Sequence, residues 1–244
     1  MISPGYTALH TGFALLASDR VVFDISGPRA RQIVNGLVTN SIDEIPSGRG
    51  CYAFALTAKG RPLTDMRVLP APGFEMQEAE DGAHVWLDVP QAGAAGFRDL
   101  LARSVPPIFA TVEEIPARRL SFSGDAAEGA SVALTDCGIL SADESDWPER
   151  PLEAMTAGPD GTGLLVRREN VEGQGVDLYL LAADAASLES CLQHAVGAAG
   201  GTIATDADWE IVRVERGIPR YGAEITIDHL PQETGQTERA ISFS

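Results

Sequence analysis

Cys51-Tyr52-Ala53-Phe54-Ala55-Leu56-Thr57-Ala58-Lys59-Gly60-Arg61-Pro62-Leu63-Thr64-Asp65-Met66-Arg67-Val68-Leu69 is the stretch on which the fold turns. Cys51 to Thr57 reads as a strand, Lys59-Gly60 as a turn, and Leu63 to Leu69 as a second strand. Two strands joined by a short glycine-containing turn make a hairpin, so they run antiparallel. A hairpin inside a chain that also carries helical spacing argues for an α+β fold. A doubly wound parallel sheet would separate its strands by crossover helices.

Working outward, Arg20 to Ile25 alternates and is β-branched, so it reads as a strand that Ser26-Gly27-Pro28 ends. Ala30, Ile33, Val34 and Leu37 fall on one helical face, and Thr39-Asn40 would close that helix. After a loop from Pro70 to Gly82, His84–Val89 reads as a strand, Ala92–Arg103 as a helix and Thr111–Ile115 as a closing strand. A second unit then begins. Arg119-Leu120-Ser121-Phe122-Ser123-Gly124 echoes Val22-Phe23-Asp24-Ile25-Ser26-Gly27. Ser131–Leu134 reads as a strand, and Asp143–Gly163, rich in Pro, Gly and acid, as an exposed connection. A second hairpin brackets Glu172-Gly173-Gln174-Gly175. Helices follow over Ala185–Ala199 and Ala207–Glu215, the last ended by Gly217-Ile218-Pro219. The expectation is two related lobes, 1–115 and 116–244, contiguous or interleaved, each with an antiparallel sheet and flanking helices.

The 244 residues are 44% hydrophobic and 22% charged, which suits a globular protein with real cores. The net charge of -17 argues against nucleic acid or an anionic membrane as a partner, since both select basic surfaces. No run approaches the ~18 apolar residues of a membrane span, and the N-terminal stretch lacks the basic start of a signal peptide. A cytoplasmic monomer is expected. Cys51, Cys137 and Cys191 are widely spaced, with no CxxC and no Cys/His cluster, so no metal site is expected. Each reads as a small buried apolar residue in a reducing compartment.

No phosphate-loop, dinucleotide, zinc-protease or nucleophile-elbow motif is present. His10, His84, His194 and His229 are scattered and read as surface or structural residues. Two stretches carry more. The hairpin would bring Tyr52 and Asp65 to one surface, although an ordinary solvated strand carboxylate fits the spacing better. Arg213-Val214-Glu215-Arg216-Gly217-Ile218-Pro219-Arg220-Tyr221-Gly222 gathers a carboxylate, several guanidinium groups and a phenol. It reads equally as a kit for a flat, polar, anionic ligand or as a helix C-terminus with basic residues at its negative dipole end.

Ile25-Ser26-Gly27-Pro28, Asn35 to Ile42 and Leu56 to Val68 together resemble the N-terminal signature of the folate-binding T-protein superfamily. That superfamily holds the glycine-cleavage aminomethyltransferases and the YgfZ-type proteins linked to iron–sulfur cluster maintenance. Glu215-Arg216-Gly217-Ile218-Pro219, Leu230-Pro231-Gln232-Glu233 and Arg239-Ala240-Ile241-Ser242-Phe243 are similar to the YgfZ-type pattern. In that branch the serine–phenylalanine leads into a K-G-C-Y-x-G-Q-E motif and a small C-terminal β-barrel, which the sequence given does not include. None of the three cysteines stands at the motif's cysteine position. Ile241 to Ser244 reads as the start of a strand with an open edge. Residues from about Asp228 onward are therefore expected to be mobile, or covered by a second copy.

The resemblance implies a T-protein-like fold around a pocket for tetrahydrofolate or a 5-substituted derivative. Asp65 would fall near the reactive folate nitrogens and assist one-carbon transfer. Glu215 would read the pterin ring through charge-assisted hydrogen bonds of about 1.5–3 kcal/mol each. Tyr52 would pack against the folate, Asn40 would lie near the same pocket, and Arg220 and Tyr221 would form its rim. Gln232 and Glu233 are expected to make a structural turn. The implied functions, in order, are a folate-binding protein supporting iron–sulfur cluster assembly or repair, with iron–sulfur proteins as partners; a non-catalytic folate-binding remnant; and, if the protein is an enzyme, an aminomethyltransferase-like one-carbon transferase.

Overall fold

The computed structural model describes residues 2–74, 83–123, 127–141, 147–158, 161, 163–181 and 185–243. The loop expected over Pro70–Gly82 and the connection expected over Asp143–Gly163 lie partly outside these, as does Gly124 of the echo. Helices are α1 (Pro4–Thr11), α2 (Ala30–Leu37), α3 (Gln91–Ser104), α4 (Ala127–Asp136), α5 (Ala185–Ala198), α6 (Asp206–Glu215) and α7 (Thr237–Ala240). Strands are β1 (Ala14–Gly27), β2 (Cys51–Leu56), β3 (Pro62–Pro70), β4 (Ala83–Val89), β5 (Thr111–Ser123), β6 (Ala154–Ala157), β7 (Gly163–Arg167), β8 (Gly175–Leu181) and β9 (Thr202–Ala204).

The chain forms two compact units. The first holds Met1–Asp19 with Ala117–Ile218, and the second holds Arg20–Pro116 with Pro219–Ser244. The expected division at 115/116 falls inside one continuous strand, β5, which leaves the second unit at Pro116 and enters the first at Ala117. β1 makes the reverse passage, leaving the first unit at Asp19 and entering the second at Arg20.

Each unit repeats one plan. In the second, antiparallel pairings run β2 to β3, β3 to β4 and β4 to β1. In the first they run β6 to β7, β7 to β8 and β8 to β5. A helix precedes and a helix follows the three-strand run in each case, α2 and α3 in the second unit and α4 and α5 in the first. The echo between β1 and β5 thus marks equivalent strands, each leading into an equivalent helix.

The core of the second unit gathers Phe23, Ile25, Val34, Met66, Val68, Val85, Leu87 and Phe97. The core of the first gathers Leu15, Leu120, Phe122, Leu134, Leu165, Leu178 and Leu192. α3 lies so close to β3 that a Cβ on Gly93 would stand 2.0 Å from Thr64 Oγ1. Local chemistry sets the helix starts. Ser3 Oγ accepts from the Tyr6 amide at 3.0 Å ahead of Pro4. Thr205 and Asp208 form a capping box at α6.

Several expectations are corrected. Ser131–Leu134 is helical, because Ala130, Ala133 and Leu134 sit at helical spacing and all turn inward. Cys137, just after α4, and Cys191 of α5 are joined in a disulfide, with Cα atoms 5.9 Å apart, while Cys51 is buried and outside any disulfide. Residues 228–243 are docked and do not continue as a strand. Pro231–Thr234 is a 3₁₀ turn and α7 follows. Ala240 is fully buried, and the Ser242 amide donates to the Thr39 carbonyl at 3.0 Å. Among the described residues no helix is long and apolar enough to cross a membrane.

Candidate functional site

Period-two alternation in the first hairpin builds the site. Cys51, Ala53 and Ala55 of β2 enter the core, as do Met66 and Val68 of β3, so Tyr52, Phe54, Asp65 and Arg67 share the other face. The register sets Tyr52 opposite Arg67 and Phe54 opposite Asp65, which makes Tyr52 and Asp65 diagonal neighbours. The Tyr52 hydroxyl spans that diagonal and donates to Asp65 Oδ2 at 2.8 Å. The same face continues across β4 and β1, where Arg67 lies opposite Asp88 and Asp88 opposite Val22. Arg20 Nε donates to Asp88 Oδ1 at 2.5 Å, so the fully buried Asp88 carboxylate is paired.

Asp65 Oδ1 differs. It is sheltered from solvent and has no hydrogen-bond partner among the described residues. Burial pushes the Asp65 carboxyl above the usual carboxylate range; the Tyr52 hydroxyl, the Arg20 charge, the residue's own backbone amide and the Arg239 charge oppose that rise without cancelling it. Burial, with the Asp65 charge added, also pushes the Tyr221 phenol up, so Tyr221 belongs to the same electrostatic neighbourhood.

The segment after residue 228 closes onto this face. Arg61 Nη1, at the hairpin turn, donates to the Asp228 carbonyl at 2.6 Å. Thr39 Oγ1 donates to the Ala240 carbonyl at 2.6 Å and accepts from the Phe54 amide at 2.9 Å. Asn40 Nδ2 donates to the carbonyls of Tyr52 and Arg239, both at 3.0 Å. α7 is thereby set in register with β2, and the Arg239 guanidinium lies 3.7 Å from the centroid of the Tyr52 ring. Phe54 meets the same ring edge-on at 5.8 Å.

Asp65, Tyr52, Asn40 and Tyr221 therefore come together in the second unit. Asn40 contributes by bracing, with its amide hydrogens committed to two carbonyls. Tyr52 has one ring face covered by Arg239. Arg220 is exposed in the turn before Tyr221, its amide donating to Glu224 at 3.0 Å. Glu233 caps the 3₁₀ turn by accepting from the Leu230 amide at 2.6 Å, a structural role. Glu215 belongs to the first unit, where its carboxylate accepts from Tyr6 Oη at 3.0 Å and meets His10 Nε2 at 2.9 Å. Tyr6 carries a raised pKa, chiefly from that hydrogen bond. Arg20 and Arg239 are the residues that periodicity missed. Neither lies on the hairpin, and only the fold carries them to it.

No protein-family profile matches the chain. It is 25% identical over 224 residues to an aminomethyltransferase of Cutibacterium acnes, covering 90% of this chain and 57% of that protein. The aminomethyltransferase of Streptomyces coelicolor is 25% identical over 227 residues, covering 90% and 55%. A shorter match, 36% over 64 residues, joins 26% of this chain to 14% of a mitochondrial iron–sulfur cluster assembly factor IBA57 homolog of Neurospora crassa. The crystal structure of glycine cleavage system aminomethyltransferase T from Bartonella henselae superposes with a TM-score of 0.74 at 17% identity, covering 93% of this chain and 57% of that one. The fold is thus the T-protein fold, α+β with antiparallel sheet and flanking helices, and in sequence the chain is similar to aminomethyltransferases over 90% of its length. The chain spans a little over half the length of the aminomethyltransferases it matches.

Proposed function

We propose that this chain binds tetrahydrofolate at the Asp65 face and serves iron–sulfur cluster assembly or repair, as a YgfZ-type protein. The observation that carries the binding is the state of Asp65: one carboxylate oxygen held by Tyr52, the other sheltered and without a partner among the described residues. An orphaned acceptor of this kind costs free energy that an N–H donor on a ligand would recover. A reduced pteridine with its aminobenzoyl nitrogen is rich in such donors, so the residues fit the group. When bound, tetrahydrofolate supplies the nitrogens that carry a one-carbon unit. The iron–sulfur part rests on the 64-residue likeness to the assembly factor.

The chain's own residues do the rest. Asp65 orients the donor and, with its raised pKa, can hold a proton at Oδ1. Tyr52 keeps that carboxyl from rotating. Arg20 and Arg239 limit how far burial raises its pKa. A proton-holding carboxyl at this position also favours a second reading, one-carbon transfer of the aminomethyltransferase kind, which turnover of a methylamine donor with tetrahydrofolate would reveal.

Calorimetric titration with 5-formyltetrahydrofolate tests the binding. The wild-type chain is expected to bind, and Asp65→Asn to bind at least ~10-fold more weakly, about 1.4 kcal/mol. A folded wild-type chain that binds nothing would remove the reading. Glu215→Ala, run beside it, reports whether Glu215 takes part or serves only Tyr6 and His10. Restored activity of iron–sulfur enzymes in cells lacking their YgfZ-type protein tests the cellular role.

A further inference from the structure

Arg239 carries a consequence for the Asp65 site. Its guanidinium covers one face of Tyr52 at 3.7 Å, and the hydroxyl of that ring holds Asp65 Oδ2. A cation stacked on a phenol ring is attracted by the ring's π face, more strongly where water is excluded, and it also blocks the ring from tilting. The stack is braced from below, because Asn40 Nδ2 donates to the backbone carbonyls of both residues. Thr39 ties the next residue, Ala240, to β2 by the same device. Two side chains just beyond α2, Thr39 and Asn40, thus set the register of Arg239 on Tyr52.

We propose that Arg239 is a positioning residue of this site, acting through Tyr52 to fix the Asp65 carboxyl so that Oδ1 alone is presented to a ligand. The proposal rests on the folate reading for the ligand's identity, but not for the geometry. It also specifies the contact: the ligand meets this site through an N–H donor to Oδ1, because the Arg239 face of Tyr52 is not open for stacking. The groups facing Asp65 are Arg20 of β1, whose partner is Asp88 of β4, Tyr52 of β2, Arg239 of α7 and Tyr221 in the turn after α6. Arg67 shares its strand face.

The test is a double-mutant cycle read on the unliganded protein. Carbon-13 NMR follows the Asp65 carboxyl through pH in the wild type, Arg239→Ala, Tyr52→Phe and the double variant. Loss of Arg239 removes a charge that lowers the Asp65 midpoint and loosens the phenol that also lowers it. Each single variant is therefore expected to raise the midpoint. If Arg239 works through Tyr52, the double variant rises by clearly less than the sum. An unchanged midpoint in Arg239→Ala, or fully additive shifts, would overturn the proposal. Should Arg239→Ala fail to fold, Arg239→Lys keeps the charge and loses the planar stack. It is expected to raise the midpoint by less than Tyr52→Phe does, and no change would count against positioning. Titration with 5-formyltetrahydrofolate then separates the two ideas. A coupled midpoint without folate binding would sink the folate reading and leave Arg239 in its role. Binding with no coupling would do the reverse.

Discussion

Asp65 sets a conflict that pH exposes. Its folded pKa lies above its ordinary value, chiefly because burial penalises the charged form. A group of this kind contributes stability that is full below the ordinary carboxylate range and is lost as pH rises through the folded midpoint. Asp65→Asn should therefore be more stable than the wild type near neutrality, and the difference should shrink as the solution is acidified. Urea midpoints measured from pH 4 to 8 would show it; parallel curves for the two proteins would mean that the carboxylate is not penalised. The same substitution is expected to weaken folate binding, so stability and ligand recognition would move in opposite directions. Arg20 and Asp88 show the alternative at close range: a buried carboxylate with its partner in place has no orphaned oxygen to offer.

At the level of elements, helix pairs and docked segments hold what the strands present. Of the two side chains after α2 that bracket β2 and α7, Asn40 reaches the carbonyls of both Tyr52 and Arg239. Asn40→Ala would remove the donor that the Tyr52 and Arg239 carbonyls share and should cost about 1–3 kcal/mol. Hydrogen exchange at the Ser242 amide, now bonded to the Thr39 carbonyl, should quicken in that variant before the core of the second unit does. In the first unit, the Cys137–Cys191 disulfide ties α4 to α5 across a sequence separation of 54. Loop-closure entropy for that length is worth about 4 kcal/mol. Replacing both cysteines by serine should lower stability by an amount of that order, with the loss appearing in chemical unfolding. No change would mean that the bridge is not formed in solution.

For the whole molecule, the interleaving of the chain is the governing fact. Each compact unit is assembled from two separate stretches of sequence. A cut at 115/116 would take Met1–Asp19 from the first unit and Pro219–Ser244 from the second. Fragments 1–115 and 116–244, expressed apart, should therefore each lack cooperative folding, while the uncut chain folds. Circular dichroism with thermal melts decides this, and a cooperative transition in either fragment would show that the borrowed stretch is dispensable.

The alternation in Cys51–Leu69 was enough to establish the hairpin, the antiparallel sheet and the shared face of Tyr52 and Asp65, because strand periodicity is local and has only two phases. Helices over α2, α3, α5 and α6 were legible for the same reason, as their apolar residues recur at helical spacing. α4 was not, since its short Ala-Ser-Val-Ala-Leu run satisfies either period and only packing of Ala130, Ala133 and Leu134 decides. The disulfide, the interleaved units and the docking of α7 were also closed to the sequence. Each joins residues far apart in the chain, and no local pattern encodes which distant partner is met. The candidate site divides in the same way. Local alternation placed the carboxylate and the phenol on one face, whereas tertiary structure brought Arg20 and Arg239 to them, turned Asn40 into a brace and assigned Glu215 to a different unit, because those positions follow from how distant segments pack.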